Sequence, residues 1–257
     1  MRALAEFIMR GRLKGAFEGT IILLLGLLPA LLSLMLGDTG SVVVWITLLS
    51  LVLVYIPALV LRVSISLPLM VLSAVVAASL ITMVMLSVAP NVVQVLIDSM
   101  SQLILPEAGQ QGTADQIPLG LVASYAGISG MVAYILAFNG LTGVLLGRWF
   151  QSIAFNPAGF GAEFRELRLN VVVSTICFMG SVFLRYQGDE YWWWSNVLAI
   201  PLVLVAIAIA HHVAKARELA KPWLVLFYFV VFAFMPVVIC IGFVDAWINF
   251  RDRLRNT

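Results

Sequence analysis

This sequence predicts an all-α, polytopic helical membrane protein with about seven transmembrane helices, six to eight being admissible, and short interfacial helices. Three observations lead there. First, 62% of the 257 residues are hydrophobic and 11% are charged, whereas a soluble domain is about half apolar and about a quarter charged. Mean hydropathy is +1.06. Second, the Leu/Val/Ile/Ala runs are long and lack the two-residue alternation of a barrel strand. A hydrocarbon core of about 30 Å takes roughly 20 apolar residues per helical crossing, and backbone groups in lipid must pair within the element. Third, Lys and Arg collect at the ends of the runs, not inside them. The net charge of +2 is not the basic footprint of a nucleic-acid binder.

The elements follow in order within a single membrane domain, residues 1–257. Residues 1–19 carry Arg2, Arg10, Arg12 and Lys14. Leu4, Phe7 and Ile8 share one helical face, and Glu6 and Arg10 pair at i,i+4. The segment reads as an interfacial helix on the cytoplasmic leaflet, or as a basic start that fixes orientation. It lacks a small-residue cleavage site after an apolar core and is expected to stay on the protein. Span 1 covers residues 20–36, with Gly26 and Pro29, and GDTG at 37–40 makes a turn. Span 2 is 41–61, with Pro57 near its end. Span 3 is 66–89, with Pro68 in a first turn that tolerates it.

Residues 90–118 form an outer loop. Val92, Val93, Leu96, Ile97, Met100, Leu103 and Ile104 repeat on one face over residues 91–105, which predicts an amphipathic helix too short to cross. PEAGQQGTADQIP then turns and carries no cation. Span 4, 119–147, is the most polar and glycine-rich, and its Gly143-xxx-Gly147 predicts burial among other helices. Span 5 is 171–184. Tyr191–Trp194 make an interfacial aromatic belt. Span 6 is 195–213, span 7 is 222–244, and residues 245–257 are a charged tail.

Lys and Arg set the orientation. With the N-terminus cytoplasmic, the cations from Arg2 to Lys221 fall inside, except Arg185 outside. Seven crossings would put Arg251, Arg253 and Arg255 outside. Either the tail is truly outside, or one segment fails to span, or a crossing is hidden.

Chemistry is sparse. Cys177 and Cys240 have no CxxC partner or ligand set. His211 and His212 point to different helix faces, which disfavours a metal. No Walker A loop, nucleophile elbow, HExxH or carboxylate cluster occurs. No catalytic residue, metal or cofactor is expected, and the chain is not expected to be an enzyme. Polar groups inside spans mark ligand sites or helix contacts, which singles out Asn139, Tyr125 and Tyr134 as candidate ligand-binding residues. Residues 148–169, RWFQSIAFNPAGFGAEFRELRL, form a cytoplasmic elbow. Helix runs to Phe155, Asn156–Pro157 stops it, and a second helix covers 162–168. Arg148, Trp149, Asn156, Phe160, Glu163, Phe164 and Arg168 are candidate partner contacts, as are Asp245 and Asn249 in the tail. The elbow also reads as an ordered connector with aromatic anchors. Asp245, Asn249 and Asp252 form a polar stripe, which serves a partner or a solvated face.

The opening MRALAEFIMRGR (residues 1–12), the elbow motif RWFQ…NPAGF…EF…LRL and the closing DAWINFRDRL (residues 245–254) resemble the YybS-like predicted inner-membrane proteins of Gram-negative bacteria. The resemblance implies a multi-pass protein of the bacterial inner, cytoplasmic membrane. That family is similar in hydropathy to the substrate-binding S-components of energy-coupling-factor vitamin transporters. S-components present an Ala-xxx-Ala face on the first span, where this chain has Gly26 and Ala30. Two functions are expected. One is a small-molecule binding or transport subunit with a separate energising partner and a sealed cavity under the 91–105 helix. The other is a non-catalytic accessory subunit of a larger membrane complex. Both imply the lipid bilayer and one or more membrane or cytoplasmic proteins as partners, and no nucleic acid.

Overall fold

The computed structural model describes residues 42–88, 124–155 and 159–251, with isolated positions between 21 and 35 and at 94, 95 and 98. The N-terminal segment lies outside the described residues, as do most of span 1, most of the 91–105 helix and the tail beyond residue 251. The described residues are helical, with no strand among them. They form α1 (Val42–Ser64), α2 (Leu67–Val88), α3 (Tyr125–Phe155), α4 (Gly159–Arg165), α5 (Val171–Tyr186), a 3-10 turn (Asp189–Tyr191), α6 (Trp192–Ala216), α7 (Lys221–Ala233) and α8 (Met235–Ile248). The long helices begin and end close to the apolar runs, because hydropathy in lipid is a length requirement. Span 4 and the first half of the elbow fuse into one 31-residue helix, α3. The second elbow helix lies three residues earlier than expected, at Gly159–Arg165, and residues 167–170 have no regular secondary structure.

The helices alternate in direction and give the bundle two ends. At the tryptophan end, Trp194 Nε1 donates to Ser129 Oγ at 3.1 Å, and the Tyr125 hydroxyl lies 3.5 Å from the Leu86 carbonyl oxygen. Ser181 and Ser195 share a hydrogen bond of 3.0 Å where α5 turns toward α6. At the elbow end lie the α1–α2 corner, α4, the start of α5 and the end of α6.

α6 is the hub. It touches α2, α3, α4, α5, α7 and α8, and Ala199, Ile200, Pro201, Leu202, Val205, Ala206, Ala208, Ile209 and Ala210 are buried around its circumference. A helix apolar on every side belongs in the middle of a bundle. Small residues let its neighbours come close. At Gly242 of α8, any Cβ would overlap the Leu202 carbonyl oxygen, so only glycine lets α8 cross α6 there. Gly140 of α3 sits close on α1, where a Cβ would stand 2.8 Å from Leu53 Cδ2, an atom that can shift. Of the expected Gly143-xxx-Gly147 pair, Gly143 packs on Val54 of α1, while Gly147 has no neighbour within 4 Å of a built Cβ.

Span 7 differs from expectation. It is two helices bent by 107° at Phe234. Pro236 sits at the start of α8, where its missing N–H costs nothing. Among the described residues three helices are long and apolar enough to cross a membrane, four if the bent pair counts as one, and Leu48–Ser64 and Val171–Tyr186 are shorter apolar helices.

Gly242→Ala is expected to lower stability by about 1–3 kcal/mol through overpacking against α6. Gly147→Ala, in open space, is expected to be neutral or slightly stabilising. Thermal unfolding of the two purified variants in the same detergent checks the contrast.

Candidate functional site

The elbow is built from hydrogen bonds between its two arms. Arg148, at the foot of α3, donates through Nε and Nη2 to Glu163 Oε2 at 3.0 and 2.9 Å. Its Nη1 donates to Gln151 Oε1 at 2.9 Å. Ser152 Oγ accepts the Phe160 N–H at 3.1 Å and satisfies a donor at the start of α4. Phe164 packs between Phe160, at 5.8 Å, and the edge of His211, at 5.9 Å. His211 Nε2 and the Tyr228 hydroxyl are 2.9 Å apart, which ties α6 to α7. Asn170 caps α5 by accepting from Val172 N at 2.8 Å.

The other arm of the site is a buried ion pair. Asp245 and Arg251 have side-chain exposures of 0% and 5% and meet at 3.0 Å. A pair removed from water needs its remaining donors and acceptors met, and here all but the buried Arg251 Nε find a partner. Arg251 Nη2 donates to the Leu167 carbonyl at 2.7 Å, and the Phe250 N–H donates to Asp245 Oδ1 at 3.2 Å. Arg168 Nη2 reaches the carbonyls of Asp245 and Ala246 at 3.4 and 3.1 Å, the place where a helix C-terminus attracts a cation. Asn249 takes a left-handed conformation, φ 52°, which ends α8 and turns Arg251 back toward Asp245. Burial pulls the Arg251 guanidinium below its ordinary pKa, with Asp245 and Glu166 opposing that shift. The end of α8 is thus fastened to the elbow.

Between α1, α3 and α4 the elbow end opens into a cleft of about 730 Å³. Val54, Ala58, Gly143 and Val144 line its deeper part, and Arg62, Ile65, Arg148, Gln151 and Glu163 its rim. A second hollow of about 500 Å³ lies between α4 and the end of α6, lined by Arg165, Glu166, His212 and Lys215 among others.

The sequence-predicted residues divide accordingly. Arg148 and Glu163 line the cleft, and their polar atoms bond to this chain itself. So do those of the Asp245 carboxylate, whereas Arg168 bonds through Nη2 and its buried Nε has no hydrogen-bond partner among the described residues. The tail stripe is corrected: Asp245 is buried, not solvated, because its charge is neutralised six residues later. Trp149 is exposed, and Asn156 lies outside the described residues. Tyr125, Tyr134 and Asn139 are not brought together and line neither hollow. Tyr134 packs on Phe138 and Trp193, while Asn139 is exposed on α3. No group of His, Cys, Asp and Glu among the described residues could hold a metal. Sequence reading missed Arg62, Ile65 and Gln151 as cleft residues. Arg62 carried a signal, a cation closing an apolar run; Ile65 carried none.

Compared with protein-family models, curated proteins and solved structures, the chain matches none.

Truncating either member of the buried pair leaves the other charge stranded. Asp245→Ala and Arg251→Ala are each expected to cost about 3–5 kcal/mol. Arg148→Ala, whose ion pair is 33% and 25% exposed, is expected to cost about 1 kcal/mol or less. Detergent-solubilised unfolding curves of the three variants measure the ranking.

Proposed function

We propose that this chain is a polytopic inner-membrane protein that binds a small molecule through the elbow-end cleft, with that end facing the cytoplasm. The cleft carries the reading. Its volume of about 730 Å³ falls in the range of ligand pockets, about 300–1,000 Å³, and it joins apolar walls to a polar rim. Charge supports the orientation. Arg62, Arg148, Arg165, Arg168, Lys215, Arg217 and Arg251 gather at the elbow end, and Arg185 stands at the tryptophan end, the asymmetry of a positive-inside protein.

On this reading residues 20–36, α1, α2, α3, α5 and α6 cross the bilayer, six spans, and α7–α8 turns back without crossing. The tail cations Arg251, Arg253 and Arg255 then join the other cytoplasmic cations, which removes the charge conflict of seven crossings. No sealed cavity is invoked. The ligand enters from the cytoplasmic side, and a separate partner energises any transport. The motif resemblance to YybS-like proteins fits the bacterial inner membrane.

One observation favours a second reading, a non-catalytic accessory subunit. Asn139 is exposed on α3 among apolar neighbours, and polar groups at membrane depth ordinarily face another helix.

Two measurements test the proposal. In a background lacking Cys177 and Cys240, Gln151→Cys and Lys215→Cys are expected to label only from the cytoplasmic side, and Gln187→Cys only from the other. Labelling of all three from one side would reject the orientation. Purification in mild detergent with mass spectrometry is expected to yield a bound small molecule. A stoichiometric protein partner with no bound molecule would favour the accessory subunit.

A further inference from the structure

We propose that this chain pairs with a second copy of itself in the bilayer through the outer face of α3, with Asn139 meeting the partner's Asn139. The inference goes beyond the cleft reading and needs only that α3 crosses the bilayer, for which it is long and apolar enough. Ile135, Asn139, Thr142, Leu146, Trp149 and Ile153 follow one another at alternating steps of four and three residues. That is the a/d spacing of a two-stranded coiled coil. In the bundle these side chains are exposed, except Thr142, which is half-buried. The cleft uses another side of the same helix, at Gly143, Gly147 and Gln151, so the two features do not compete.

Asn139 distinguishes this face from one that only meets lipid. It precedes Arg148 by nine residues, about 13 Å along the helix, which places it near the middle of a hydrocarbon core about 30 Å thick. An amide there is costly without a hydrogen bond. Polar side chains on other long helices bond to carbonyls of their own helix: Ser79 and Ser87 of α2, Thr175 of α5 and Asn196 of α6. The Asn139 side chain has no such bond among the described residues. A foreign helix would have to carry a matching polar group at the same depth, whereas a second copy carries it by symmetry. Two chains inserted the same way run their α3 helices parallel about a two-fold axis normal to the membrane. Residue 139 then faces residue 139, and an amide, both donor and acceptor, bonds its twin in both directions. A single Asn at an a position fixes register and oligomer state in a coiled coil.

The test uses the full-length chain in membranes, in a background lacking Cys177 and Cys240. With iodine as oxidant, Leu146→Cys, on the face, is expected to give a disulfide-linked dimer. Ile176→Cys and Phe229→Cys, also exposed but on α5 and α7, are not. Förster transfer between donor- and acceptor-labelled chains in liposomes then gives the dissociation constant. Asn139→Leu is expected to raise it about tenfold or more, the worth of interhelical amide hydrogen bonds in a membrane. Asn139→Gln, which keeps the amide, is expected to raise it less. Asn139 is exposed, so neither change reaches the interior of the bundle. Association of Asn139→Leu as tight as that of the parent overturns the pairing. Absence of a Leu146→Cys dimer, or as much dimer from Ile176→Cys, overturns the face. A Leu146→Cys cross-link to a different protein overturns the second copy and favours the accessory subunit.

Discussion

The pairing of Asp245 with Arg251 governs how the last third of this chain is arranged. A charge buried alone costs several kcal/mol, so the two residues must meet, and they meet only if α8 ends where it does. The left-handed Asn249 supplies the reversal. The Leu167 carbonyl takes the second guanidinium nitrogen, and Arg168 covers the open carbonyls of α8. The connection between α4 and α5 is thereby held by both residues. One electrostatic requirement fixes the elbow, the start of α5 and the end of α8 together.

Packing around α6 does the complementary work within the bundle. Lipid tails are as apolar as leucine, so hydrophobic burial gives little reason for helices to associate in a membrane, and close contact must supply the difference. Gly242 against Leu202 and Gly140 against Leu53 are such contacts. They place α8 and α1 within reach of polar groups at the elbow end. The cleft lies where this contact stops: Val54 meets Gly143, and nothing lies within 4 Å of a Cβ built on Gly147.

Much of the helical framework was legible in the sequence. The run at 41–61 became Val42–Ser64, that at 66–89 became Leu67–Val88, and that at 171–184 became Val171–Tyr186, because the length of an apolar run is a direct physical signal. The break at Phe234 was not legible. Pro201 lies inside a continuous helix and Pro236 begins one, so proline alone does not mark which run bends, and hydropathy has no direction. In sequence Asp245 reads as part of a stripe facing a partner or water, because its own counter-ion lies beyond a left-handed residue, which helical periodicity cannot project across. The cleft was half legible: Arg148 and Glu163 stood out as charges, while Arg62 and Ile65 belong to a distant corner that only the fold brings near.

The link between Arg251 and Leu167 also sets an order of assembly. The two residues are 84 positions apart, and α5, α6, α7 and α8 lie between them. While the chain is being made, Leu167 and Arg168 exist well before their partners in and after α8. During that interval the Arg168 cation and the Leu167 carbonyl lack the contacts that later hold them. A chain halted before Asp245 has the elbow but not the contacts that fasten α8 to it.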